Sequence, residues 1–162
     1  NLINSGVSGS MNPDLNQGDI VISTDTVQHD FDETALGKPV GEISRLDITY
    51  FKSDEKLIAA AEKAGESLNN IKVVKGRIAS GDQFIAGGDR YQNIKTNFNP
   101  QAVEMEGAAI GHVAYLNKIP YVVIRSISDK ADGEAPMSFE EFVKIASKNA
   151  SDMIEKLLLN LK

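Results

Sequence analysis

Acidic, amide and hydroxyl residues gather at four places in this chain, each directly after an apolar, strand-like run. They are Asn4-Ser5-Gly6-Val7-Ser8-Gly9, Ser80-Gly81-Asp82-Gln83-Phe84, Glu104-Met105-Glu106-Gly107 and Arg125-Ser126-Ile127-Ser128-Asp129. In open α/β sheets ligands bind beyond the carboxyl ends of the strands, so four such ends point to one shared site. Arg125 and Asp129 follow the apolar run 119–124 and therefore start from the interior. A carboxyl group there can have a raised pKa and act as a general acid; the alternative is a loop or capping aspartate. Glu104 and Glu106 end another apolar run, where a carboxylate is costly to desolvate unless it binds something. In an extended strand the two would share a face. Glu106 also borders the next helix, whose N-terminal dipole favours negative charge; the alternative is two solvated charges at a helix start. Gly6 and Gly9 could present backbone N–H groups to a ligand oxygen, or simply make a tight turn. Phe84 is either a stacking platform for a flat heterocycle or a core residue.

Strands alternating with helices must hold these groups in place. The chain opens as the end of a buried strand running into a glycine loop, and 18–23 reads as a short buried strand. The span 29–51, with Gly37, Pro39 and Gly41, reads as a long excursion or partner-facing loop. Ser53 offers an N-cap for a helix whose buried face is Leu57, Ile58, Ala61, Ala64 and Leu68. Strand returns over 71–79, helix over 90–97, strand over 102–104 and helix over 106–116. The β-branched run 119–124 is of the kind buried on both faces. Ser138-Phe139-Glu140-Glu141 reads as a capping box opening a last helix, with Phe142, Ile145, Ala146, Met153, Ile154, Leu157, Leu158 and Leu161 at helical spacing. The expected class is α/β, a mixed and largely parallel central sheet flanked by helices, in one continuous domain over 1–162.

Composition narrows the chemistry. With 162 residues, 41% hydrophobic and 25% charged, the chain is long enough to bury a real core. A net charge of −6 repels polyphosphate, which argues against nucleic acid as a partner but not against a nearly neutral nucleoside. The absence of cysteine excludes disulfides and thiolate chemistry, and two histidines make a His-rich metal site unexpected. No stretch approaches the roughly 20 apolar residues of a membrane span.

In this order, the motifs Ser80-Gly81-Asp82-Gln83-Phe84-Ile85, Val103-Glu104-Met105-Glu106 and Arg125-Ser126-Ile127-Ser128-Asp129 resemble those of the methylthioadenosine/S-adenosylhomocysteine nucleosidases. Asn4-Ser5-Gly6-Val7-Ser8-Gly9, Gly18-Asp19-Ile20-Val21 and Ser138-Phe139-Glu140-Glu141-Phe142 match as well, so the likeness spans the whole chain. The Val-Glu-Met-Glu and Ser-Asp elements are shared with the wider purine nucleoside phosphorylase superfamily and mark it better than they mark the reaction. The resemblance implies a phosphorylase/hydrolase-like fold and a cytoplasmic, homodimeric hydrolase of nucleosides that needs no cofactor. It makes Asp129, steadied by Ser128, the acid that protonates adenine N7. Glu106 would take the ribose hydroxyls, Met105 would lie beneath the sugar, Phe84 would stack on adenine and the Ile85 backbone would read its edge. Gly9 would lie near ribose and water, Arg125 would orient that water, and Phe139 would border the 5′-alkylthio pocket.

The same resemblance puts the family's water-activating glutamate upstream of Asn1. The expectation is therefore a C-terminal two-thirds of the domain, with the strand ending at Ile3 beside a gap in the sheet. Glu33 and Leu36 stand where many relatives carry an aliphatic residue and an aromatic that reaches across the dimer, and Lys38-Pro39-Val40 lacks the usual aromatic character. Three rivals remain. A phosphorolytic enzyme would need clustered positive charge, yet no arginine lies between Asp129 and Phe139. The others are a hydrolase for a futalosine-like nucleoside and an inactive nucleoside-binding module.

Overall fold

The computed structural model describes residues 1–132 and 135–161, with only the backbone described over 135–138. The elements run β1 (Leu2–Ser10), β2 (Ile20–Gln28), β3 (Phe51–Lys52), α1 (Glu55–Gly65), β4 (Val73–Ser80), α2 (Gly88–Phe98), β5 (Ala102–Glu104), α3 (Gly107–Leu116), β6 (Tyr121–Asp129) and α4 (Ala135–Asn160). One mixed sheet takes the strands in the order β3-β2-β4-β5-β1-β6. Its longest ladders, β1 with β6 and β2 with β4, are parallel.

The last strand also pairs with β2, Ile20–Ile22 against Ile124–Ser126, so five strands close into a ring. The strand expected to end at Ile3 runs on to Ser10, and the gap expected beside it lies along one of its edges. What stays unpaired among the described residues is one edge of β1. Its first seven residues have β6 on one side, while β5 reaches only Gly9 and Ser10 on the other.

The two-sided burial expected of 119–124 is realised in β6, every residue of which is buried. Val122 and Ile124 pack against Leu57 and Ala61 of α1 and Met153 and Leu157 of α4. Tyr121, Val123 and Ile127 face the other way, into a cluster with Phe51, Ile78 and Ala114. Period-two alternation sends neighbours to opposite faces, and both faces here are apolar. A third cluster, around Val27, Ile94, Phe98 and Val103, fastens α2.

Several local expectations are corrected by backbone geometry. The stretch 4–9 is strand, and neither Gly6 nor Gly9 has a positive φ. The helix after β3 is capped by Asp54, not Ser53; Asp54 accepts from the Lys56 and Leu57 N–H groups at 3.0 Å each. Aspartate places its acceptor within reach of both orphan donors, while Ser53 is held by Ser23, their hydroxyls 2.6 Å apart. The last helix begins at Ala135, one turn before Ser138, so the capping box lies inside α4. The excursion 29–51 holds one 3-10 turn, Thr34–Leu36, and a single Ile43–Ile48 bridge. Within it Glu33 accepts from the Ser44 hydroxyl, Lys38 pairs with Glu42 and Asp47, and Leu36 is 78% exposed.

Candidate active site

β5 is only three residues long, and its shortness opens the site. Beyond Glu104 the chain leaves the sheet for α3, and a cavity of about 530 Å³ lies between β1, the end of β5 and the end of β6. All nine residues singled out from the sequence line it: Gly9, Phe84, Ile85, Met105, Glu106, Arg125, Ser128, Asp129 and Phe139. Asn4, Ser8, Gln83 and Glu104, which had been given no role, line it too.

Asp129 is the last residue of β6 and is 2% exposed. The register of β1 against β6 slips here: Ser8 faces Ile127 but Gly9 faces Asp129, leaving Ser128 as the extra residue. A bulge of this kind re-aims the side chains beside it. The Asp129 carboxyl receives the Ala131 N–H at 2.8 Å, and the Ser128 hydroxyl lies 2.9 Å away. Burial pushes its pKa up from the ordinary value, outweighing those two hydrogen bonds, and nearby Asp132 adds a smaller upward push. A shift in that direction favours the protonated form, the form a general acid uses. Gly9 is required opposite it: a Cβ there would sit 2.8 Å from the carboxyl oxygen.

Glu104 and Glu106 do not share a face, because extended backbone stops at Glu104. The Glu104 side chain is 3% exposed and is the hub of the site. It accepts from the Ser80 hydroxyl, from the Gly107 N–H at 2.8 Å, from the Glu106 N–H at 3.2 Å and from the Arg125 guanidinium. This satisfies the buried carboxylate and at the same time caps α3. Arg125 donates onward through the same nitrogen to Asn4 Oδ1 at 2.5 Å and lies 3.3 Å from Glu106. Gly6 makes room for this arginine: a Cβ there would lie 2.0 Å from Nη1. So the glycine first read as a loop or ligand cradle is a site of close approach within a strand. The Glu106 carboxylate is 61% exposed and projects into the open part of the cavity.

The opposite wall is apolar. Phe84 is 48% exposed and meets Phe139 edge-on, ring centroids 5.9 Å apart. Met105, 41% exposed, immediately precedes Glu106 and lines the same cavity. The signal for Glu104 was present in the sequence as an acidic residue ending an apolar run. Only its tertiary partners separate it from Glu106. Among the described residues no group of His, Asp and Glu is placed to hold a metal ion.

A buried carboxyl group, an exposed carboxylate and exposed aromatic rings around one cavity could receive a flat base joined to a polyhydroxylated sugar. Similarity to known proteins points the same way. The model of the phosphorylase superfamily matches residues 1–159. The chain is 50% identical over 162 residues to the 5′-methylthioadenosine/S-adenosylhomocysteine nucleosidase of Actinobacillus succinogenes, covering 99% of this chain and 70% of that protein. The nucleosidase of Colwellia psychrerythraea, solved in complex with adenine, superposes with a TM-score of 0.94 at 40% identity, covering 99% of this chain and 66% of that one. The futalosine hydrolase of Helicobacter pylori superposes at 0.91 with 35% identity, covering 96% and 66% respectively.

Proposed function

The chain belongs to the 5′-methylthioadenosine/S-adenosylhomocysteine nucleosidases of the phosphorylase superfamily, and from that premise we propose that it hydrolyses the N-glycosidic bond of methylthioadenosine and S-adenosylhomocysteine. The C1′–N9 bond breaks with its electron pair going to adenine, and Asp129 delivers a proton to N7, so that a neutral base leaves. The sugar passes through an oxocarbenium-like state, the electronic demand also met in glycoside hydrolysis. Water adds to C1′ and loses a proton to the solvent, from which Asp129 is reprotonated, giving the 5-alkylthioribose. Glu106 accepts from the ribose hydroxyls, Met105 packs its thioether beneath the ring, and Phe84 stacks on the base while the Ile85 backbone reads its edge. Arg125, backed by Glu104, orients the water near Gly9, and Phe139 borders the 5′ substituent.

The observation that carries this reading is the burial of Asp129 with its raised pKa, across the cavity from Glu106 and Phe84. Phosphorolysis is disfavoured by charge. Arg125 is the one cation among the described residues lining the cavity, and its Nη2 already serves Asn4, Glu104 and Glu106. A phosphate ion needs more positive charge than that. Two curated relatives, 50% and 43% identical, are both methylthioadenosine/S-adenosylhomocysteine nucleosidases, which favours the adenine nucleoside. The test is to give the full-length protein methylthioadenosine with and without phosphate and identify the sugar. Free methylthioribose in both upholds hydrolysis; a sugar 1-phosphate formed only with phosphate overturns it.

The same reading makes the protein a cytoplasmic homodimer working in methionine salvage. Exposed Leu36 in the 29–51 excursion and exposed Val113, Tyr115 and Leu116 on α3 supply apolar surface for a second copy. No described helix is long and apolar enough to cross a membrane.

A further inference from the structure

Behind the turn that carries Phe84 and Ile85 lies a second cavity, and Gln83 lines both. The turn 81–84 is therefore a thin wall, and something must hold it. The chain leaving β2 does so. His29 N–H donates to the Ser80 carbonyl at 2.9 Å, continuing the β2–β4 ladder by one rung. Asp30 then reaches back, and the Asp82 N–H donates to its Oδ2 at 2.8 Å.

The His29 ring is 8% exposed and packs against Gly81. A Cβ at Gly81 would lie 2.5 Å from ring atoms Cε1 and Nε2 and 2.8 Å from Asp30 Cγ. Only glycine lets the ring come this close. His29 Nε2 has no hydrogen-bond partner among the described residues. Burial lowers the imidazole pKa against the upward pull of Asp30 and Glu104. A tightly packed ring whose Nε2 has no partner among the described residues contributes through its shape.

We infer that His29 and Asp30 are positioning residues for the base-stacking turn, the ring a wedge under Gly81 and the carboxylate a latch on Asp82. They set affinity for the base rather than the rate of bond cleavage. The inference rests on the proposed function for the identity of the base, and on the hydrogen bonds above for the brace.

The experiment compares Asp30→Ala with Asp30→Asn in the full-length protein, reading adenine affinity, KM and kcat for methylthioadenosine, and amide exchange over 81–84. An asparagine oxygen can still accept from Asp82, so Asp30→Asn should stay within about threefold of wild type. Asp30→Ala should weaken adenine binding and raise KM about tenfold, the size of one lost hydrogen bond to a charged group, with kcat within about threefold. His29→Phe, which keeps a flat ring, should bind adenine like wild type, and His29→Ala like Asp30→Ala. If Asp30→Ala does not fold, Asp30→Ser, too short to reach Asp82, carries the same expectation. Unchanged affinity in Asp30→Ala, equal losses in Asp30→Asn and Asp30→Ala, or a fall in kcat alone would each overturn the inference. Wild-type protein that binds no adenine would sink the functional reading instead. The brace is then decided by whether 81–84 exchanges faster in Asp30→Ala than in Asp30→Asn.

Discussion

The two walls of the cavity are built on different principles. The strand wall, formed by β1, β5 and β6, carries Glu104 and Arg125 almost wholly out of water, Glu104 accepting from several donors and Arg125 bonding through Nη2 while its Nε has no partner among the described residues. The aromatic wall, Phe84 and Phe139, is half open and held by an edge contact and a braced turn. Charge must be fixed in place before it can act in a low-dielectric site, because an unpaired buried ion is costly. An apolar platform need only be flat and accessible. A break in the first wall should therefore appear as lost stability, and a break in the second as lost binding.

The largest effect is expected from Glu104→Ala. It leaves the Arg125 guanidinium buried without its main partner and uncaps α3, and should cost about 3–5 kcal/mol of unfolding free energy, read by urea denaturation. A loss below about 1 kcal/mol would mean the strand wall is less committed than it looks.

Asp129→Asn separates chemistry from stability within that same wall. Turnover of methylthioadenosine should fall about 10²-fold or more, and near wild-type turnover would remove Asp129 from the mechanism. Stability should move the other way. A folded pKa above the ordinary 3.8 means that Asp129 stabilises the fold below that pH and loses this contribution as pH rises through the raised value. At neutral pH the asparagine variant should melt no lower than wild type, and its advantage should grow across that window. An advantage that shrinks with rising pH would contradict the sign.

Phe84→Ala should have the smallest effect. Half exposed, the ring can be removed for about 1 kcal/mol or less of stability, while adenine affinity drops about tenfold, the lower end of base–aromatic stacking. Adenine binding unchanged by calorimetry would place the platform elsewhere.

The same contrast explains what the sequence made legible. That Asp129, Phe84, Glu106 and Arg125 meet at one cavity was legible because strand-end motifs are local, and local motifs end up together when strands share a sheet. The two-sided burial of β6 was legible from its β-branched run for the same reason. Gly6 was misread as a loop glycine because its role depends on a guanidinium from residue 125, more than a hundred positions away. Glu104 could not be told from Glu106 without knowing where extended backbone stops. Ring closure through β2 and β6, and the bulge that turns Asp129, are long-range registers on which hydrophobic periodicity is silent. Asp54 displaced Ser53 as the cap because a competing hydroxyl, Ser23, lies across the sheet.

The short β5 has one more consequence. Where it stops, one edge of β1 from Asn4 to Ser8 is left without a strand partner among the described residues, while β6 pairs with the other edge, and this stretch lines the cavity. Whatever that edge contributes to recognition is written in main chain, which every residue type supplies alike. Apart from Gly6, where a Cβ would meet Arg125, and Asn4, whose side chain accepts from it, side-chain substitution in this stretch would leave that contribution intact. Only a proline, which deletes an N–H, or a residue too large for its strand neighbours could erase it.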